Sequence, residues 1–143
     1  MDKHNNHYSH YNHYIIMFFI MIISGLLSTM NIWVDDISHI RLSLNDLYMI
    51  LLMTGWMLFF MGVVYKEFII IVIGFILVVL NIYLIRTQMF INEYQYRIGM
   101  IPHHSMAIHM SKKLLEKENG INEFLRNLIK TQEKEISILM NIK

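Results

Sequence analysis

Three uncharged apolar runs, each followed by a short polar break, fill most of the first 86 residues: Tyr14 to Val34, Leu47 to Tyr65 and Phe68 to Ile85. A helix needs about 20 apolar residues to cross a bilayer. In lipid only helices and closed barrels satisfy every backbone polar group, so each run is expected to be a membrane-spanning helix. Ser24, Gly25, Ser28 and Thr29 give the first run a small-residue face for close helix approach, and Trp33 stands where an interfacial aromatic is expected. Asp35 and Asp36 stop it. Residues 35–46 read as a polar connector, with Asn45 or Asp46 expected to cap the second helix. Met49, Met53, Met57 and Met61 recur every fourth residue and form one stripe on that helix. Lys66 and Glu67 make a very short turn, and Asn81 is expected to bond to a neighbouring helix.

After Arg86 the pattern becomes amphipathic and charged. A helix is expected from about Phe90 to Glu118, with Pro102 inside it, where proline removes a backbone hydrogen bond and kinks the axis. Asn119-Gly120 gives a stop, with Gly120 expected in the left-handed conformation. A second helix, from about Asn122 to Met140, places Phe124, Leu125, Leu128, Ile129, Ile136 and Leu139 on one face and Arg126, Lys130 and Lys134 on the other. The expected fold class is all-α: three transmembrane helices, then an antiparallel helical hairpin. The expected regions are a His-rich tail over 1–13, the spans over 14–86 and the hairpin over 87–143.

Charge sharpens this reading. Only Asp35, Asp36, Arg41, Asp46, Lys66 and Glu67 are charged between residues 4 and 85, which suits lipid better than water. A formal net charge of +1 with no basic stripe argues against nucleic acid as a partner. There is no cysteine, so disulfides, thiolate metal sites and cysteine nucleophiles are excluded. Soft-metal chemistry must rest on methionine and histidine.

Those two residue types gather at 100–110, Met-Ile-Pro-His-His-Ser-Met-Ala-Ile-His-Met. At about 100° per residue, Met100, His103, His104, Ala107 and Met110 share one helix face, Met106 sits at its edge and His109 points away. Imidazole nitrogen and thioether sulfur on one face suit copper, with silver as its mimic. The same pattern also suits a packed helix with gap-filling methionines. At the start of the chain, His4, His7, His10 and His13 repeat every third residue and form a secondary candidate for metal binding. The start does not read as a secretory signal, since no small-residue cleavage site follows the apolar run.

The stretch 100–110, with Gln132 and Glu135-Ile136 on the partner helix, resembles the domain of unknown function 305 family. The three runs, the Met-rich second run and the Val64-Tyr65-Lys66 turn resemble a membrane subgroup of it. The resemblance implies a ferritin-like helical fold, here a half-bundle. It implies metal binding by His103, His104, Met100, Met106 and Met110, with copper or silver as the ion and Gln132 and Glu135 behind the ligands. The chain departs from the pattern at His109, where the family often has an acid. It departs again at Leu139, where a methionine is expected and Met140 is displaced by one position.

The leading expectation is therefore a multi-pass, membrane-anchored protein that sequesters or handles copper or silver. The alternative is a structural protein whose hairpin self-associates without metal. A two-helix unit buries little surface alone, so the hairpin is expected to pair into a four-helix bundle in a homodimer or to pack on its own spans. No enzyme activity is expected, because the Glu-x-x-His pairs of di-iron carboxylate sites are absent from the chain. Counting Arg41, Arg86 and Arg97 favours a cytoplasmic hairpin; the resemblance implies the opposite side, and the reading leans to extracytoplasmic.

Overall fold

The computed structural model describes residues 3–142, with side chains from residue 12 onward. Among them are five α-helices: α1 Lys3–Leu27, α2 Leu44–Tyr65, α3 Phe68–Thr87, α4 Glu93–Leu115 and α5 Asn122–Asn141. Two short 3-10 turns, Met30–Trp33 and Ile37–His39, lie between α1 and α2, and there is no strand among the described residues. Three helical stretches are long and apolar enough to cross a membrane: Asn12–Trp33, Leu44–Tyr65 and Phe68–Thr87.

The chain divides into two compact units, Met1–Leu27 with Leu47–Met89, and Ser28–Asp46 with Phe90–Lys143. The division changes the reading of the first apolar run. Its α-helix ends at Leu27 and the 3-10 turn Met30–Trp33 follows, so the stretch Asn12–Trp33 that is long and apolar enough to cross a membrane is not one unbroken α-helix, and Ser28 onward groups with the second unit. Backbone hydrogen bonding also extends α1 back to Lys3, so residues 3–13 are helical and continuous with the apolar run.

In the first unit Tyr14, Leu58 and Ile70 form a buried cluster, with Phe18, Met57, Met61 and Leu77 packed around it. Close approach of α2 and α3 depends on glycine. A Cβ on Gly74 would stand 2.4 Å from the backbone nitrogen of Phe59, so only hydrogen fits there. Gly25 meets Ile50 in the same way, 2.7 Å from its side chain. The methionine stripe of α2 is split, with Met49 and Met53 half exposed and Met57 and Met61 against the core. Asn81 does not reach another helix. Its Nδ2 donates to Leu77 O of its own helix at 2.8 Å, and its buried Oδ1 has no hydrogen-bond partner.

In the second unit α4 and α5 form the hairpin, and the 28–46 connector packs along α4. Ser43, not Asn45 or Asp46, caps α2. Asp46 Oδ2 accepts from the Ser43 N–H and hydroxyl at 2.8 Å each, and the Asp46 N–H points back at Ser43 Oγ, 3.4 Å away. This is the reciprocal box in which a first-turn acid and a cap serine satisfy each other's donors. Asn92 caps α4 by accepting from the Gln95 N–H at 2.9 Å.

The hairpin turn corrects another expectation. No described glycine has a positive φ, so Gly120 does not supply a left-handed cap. Asn119 closes the turn instead. Its Nδ2 donates to Leu114 O and Lys117 O, at 3.1 and 2.9 Å, and its Oδ1 accepts from the Ile121 N–H at 3.0 Å. The side-chain amide meets the free carbonyls that a left-handed residue would otherwise close off.

Candidate functional site

The motif helix α4 buries Ile101, Pro102, Ser105, Ile108 and Ser111. This apolar and small-residue stripe faces the connector and α5, and it fixes the rotation of the helix. Helical geometry then puts His104 at the edge of the buried stripe and swings His103 and Met110 away from it. His103 is exposed and Met110 is 53% exposed; Met100 and Met106 are half-buried. The five candidate donors therefore do not converge on one buried patch.

The structure brings two of them together with Glu135. Tyr96, Met100 and His104 of α4, with Glu135, Ile138 and Leu139 of α5, line a cavity of about 270 Å³. Glu135 Oε2 lies 3.0 Å from His104 Nδ1, but off the direction needed for a well-formed hydrogen bond, so this buried nitrogen is in contact yet unsatisfied. The imidazole is held below its ordinary pKa. Burial is the main cause, and the neighbouring His103 adds to it, while Glu135 opposes it. His103 meets His104 edge-on, with ring centroids 6.0 Å apart. Gln132 is half-buried on α5. Leu139 lines the His104 cavity, whereas Met140, displaced by one position, faces a different one.

His13 is exposed on α1. The backbones of His4, His7 and His10 also belong to α1, and their side chains lie outside the described residues. Among the described residues no group of three or more His, Asp or Glu side chains is arranged to hold a metal ion. That donor set does not suit a four-coordinate zinc site or an oxygen-rich calcium site. One imidazole and one thioether sharing a cavity fit a soft monovalent ion of low coordination, for which thioether sulfur is a preferred ligand.

Sequence reasoning passed over Ser105. It has no solvent exposure, and its Oγ accepts from the Asp35 N–H at 2.8 Å and lies 2.9 Å from His39 Nδ1. Lys112 adds an ion pair to Asp35 Oδ2 at 2.6 Å, and Gln95 Oε1 accepts from the Leu44 N–H at 2.9 Å. These contacts strap the connector to the motif helix. The signal was present: Ser105 falls between Ile101 and Ile108 on the buried stripe, and a hydroxyl buried there needs partners.

A second cavity, of about 390 Å³, is lined by Asp35, Asp36 and His39 of the connector, Ile108 of α4, and Glu133, Ile136, Ser137, Met140 and Asn141 of α5. Hydrogen bonding from Ser38, with a smaller contribution from His39, holds the Asp36 carboxyl below its ordinary range.

The family model for the domain of unknown function DUF305 matches residues 88–143, the hairpin. Uncharacterized protein L153 of Acanthamoeba polyphaga mimivirus is 41% identical over 135 residues, covering 90% of this chain and 89% of that protein. No solved structure matches. On that breadth of identity the chain belongs to one family with the mimivirus protein, and its own residues 88–143 match the DUF305 model.

Proposed function

We propose that this is an integral, multi-pass membrane protein whose hairpin binds a soft metal ion, copper or silver, for sequestration or handling. The observation that carries the reading is the shared cavity of His104 and Met100. Burial favours the neutral imidazole there, and only that form can bind a metal. The membrane part is supported by the outward apolar side chains of the first unit, among them Phe19, Phe60, Phe68 and Phe75, each more than half exposed. In water such a surface would be an aggregation liability; in lipid it is ordinary. The hairpin is half of a ferritin-like bundle and stands on the extracytoplasmic side. Protease protection of a C-terminal tag tests the side.

Silver(I) titration of the purified full chain, compared with His104→Ala and Met100→Ala, tests the binding. The wild type takes up the ion, and each variant binds at least about tenfold more weakly, the scale of one lost ligand or its support. Unchanged binding in both variants overturns the reading.

The contact between His104 and Glu135 favours a second reading, a polar tie between α4 and α5 that needs no metal. In that case replacing His103 and His104 weakens assembly equally with and without silver.

A further inference from the structure

The connector 28–46 packs along α4, yet it leaves a run of apolar side chains uncovered. Ile37 is 82% exposed, and Ile32, Trp33, Ile40 and Leu42 are exposed as well. Its polar ends are used on the hairpin side. Asp35, Asp36 and His39 line the second cavity with α5, Asp35 pairs with Lys112, and His39 Nδ1 meets Ser105 Oγ. A loop that faces water ordinarily shows the opposite order, and an exposed apolar cluster marks a contact surface. We propose that the connector is a bilayer-surface anchor, with Ile32, Trp33, Ile37, Ile40 and Leu42 seated among the lipid headgroups and the first acyl carbons. This rests on the membrane reading above and adds a second kind of lipid contact to it, made by irregular chain outside the helices. Through Ser105 the anchor ties the motif helix to a lipid-bound segment.

The occupant is lipid because of where the connector is attached. Ile32 follows closely on Leu27, the end of α1, and Leu42 closely precedes Leu44, the start of α2. Both helices belong to stretches long and apolar enough to cross a membrane. Residues tethered so near the ends of two spans stay at headgroup depth, where an amphipathic indole such as that of Trp33 is favoured. The backbone is prepared for that environment. Asn31 Oδ1 accepts from the Arg41 N–H at 2.9 Å while its Nδ2 donates to Arg41 O at 2.7 Å, which closes the connector on itself. Arg41 Nη1 donates to Ser38 O and Ile40 O, at 2.8 and 2.7 Å. Asp36 Oδ1 accepts from the Ser38 N–H at 2.7 Å, and the Ile40 N–H donates to Ile37 O at 3.2 Å. Water would satisfy these groups in an open loop. Closing them internally around Ile37 lets irregular chain enter a layer poor in hydrogen-bond partners.

The chain has two tryptophans, and each serves as a depth probe once the other is replaced. Full-length Trp56→Phe and Trp33→Phe chains are placed in phosphatidylcholine nanodiscs that carry a nitroxide on the headgroup, the fifth acyl carbon or the twelfth. Trp56, in the middle of α2, should be quenched most by the twelfth-carbon label. Trp33 should be quenched most by the headgroup or fifth-carbon label. Adding Ile37→Asp and Ile40→Asp should lower the Trp33 quenching at least about twofold and leave Trp56 unchanged, because charge is driven out of the interface. Trp33 open to acrylamide but untouched by lipid labels overturns the anchor, as does Trp33 shielded from both, which would mean a protein face covers it. Trp33 quenched most by the twelfth-carbon label, or indifferent to the two aspartates, also overturns it, since Trp33 would then be only the end of a span. In each of these cases a deeply quenched Trp56 leaves the membrane reading standing. Trp56 untouched by every lipid label overturns both.

Discussion

Glu135 Oε2 stands 3.0 Å from Nδ1 of a largely buried His104, and the two residues come from opposite helices of the hairpin. Charge on Glu135 favours the protonated ring, while burial, the larger effect, favours the neutral one. The folded protein therefore takes up the proton less readily than the unfolded chain does. Stability contributed by His104 is complete above the ordinary histidine value of 6.5 and declines as pH falls below it. Thermal unfolding of the hairpin is expected to become easier on acidification, and His104→Gln should flatten that dependence. Glu135→Gln removes the opposing charge, so the His104 imidazole NMR titration should move to still lower pH.

Two contacts hold Asp35 to α4, and they differ in worth. Ser105→Ala removes the part-buried hydrogen bond to the Asp35 N–H and is expected to cost about 0.5–1.5 kcal/mol. Lys112→Met breaks the ion pair to Asp35, but the lysine side chain is 45% exposed, so the cost should stay below about 1 kcal/mol and vanish in high salt. Amide hydrogen exchange at Asp35 checks the difference, because only the serine variant should lose protection there.

At the hairpin turn the weight rests on Asn119, not on the glycine beside it. Asn119→Ala is expected to destabilise the hairpin by about 1–2 kcal/mol through loss of its three backbone bonds. Nothing lies within 4 Å of a Cβ built on Gly120, and its φ is not positive. Gly120→Ala should therefore be neutral or raise stability by about 0.4–1 kcal/mol. Denaturant midpoints of the two variants should move in opposite directions or only the first should move.

Gly74→Ala tests the helix pair of the first unit. The added methyl would meet the backbone of Phe59, which cannot step aside as a side-chain tip can. Overpacking of about 1–3 kcal/mol is expected, read as earlier unfolding in detergent.

Much of this arrangement was legible in the residues. Uncharged length marked α2 and α3, and the expected ends at Tyr65 and Phe68 coincide with those observed. Amphipathic spacing placed α4 and α5. Reading failed where a side chain's role depended on residues far along the chain. The connector looked like a polar linker because its partners, Ser105 and Lys112, are about 70 positions away. The donor stripe of α4 looked convergent because face arithmetic fixes which residues share a side, not which side is buried. Ile101, Ser105 and Ile108 decided that, and turned His103 and Met110 outward.

The strap between Asp35 and Ser105 also bears on how the protein is made. A ribosome releases the connector well before the motif helix exists, so residues 28–46 must wait without their binding surface while the second and third apolar helices are synthesised. Excising the conserved-domain region at residue 88 would strip the serine of its partner strand of chain. The natural unit for transplantation is thus discontinuous, and a fragment built on the family boundary alone would carry an uncovered flank.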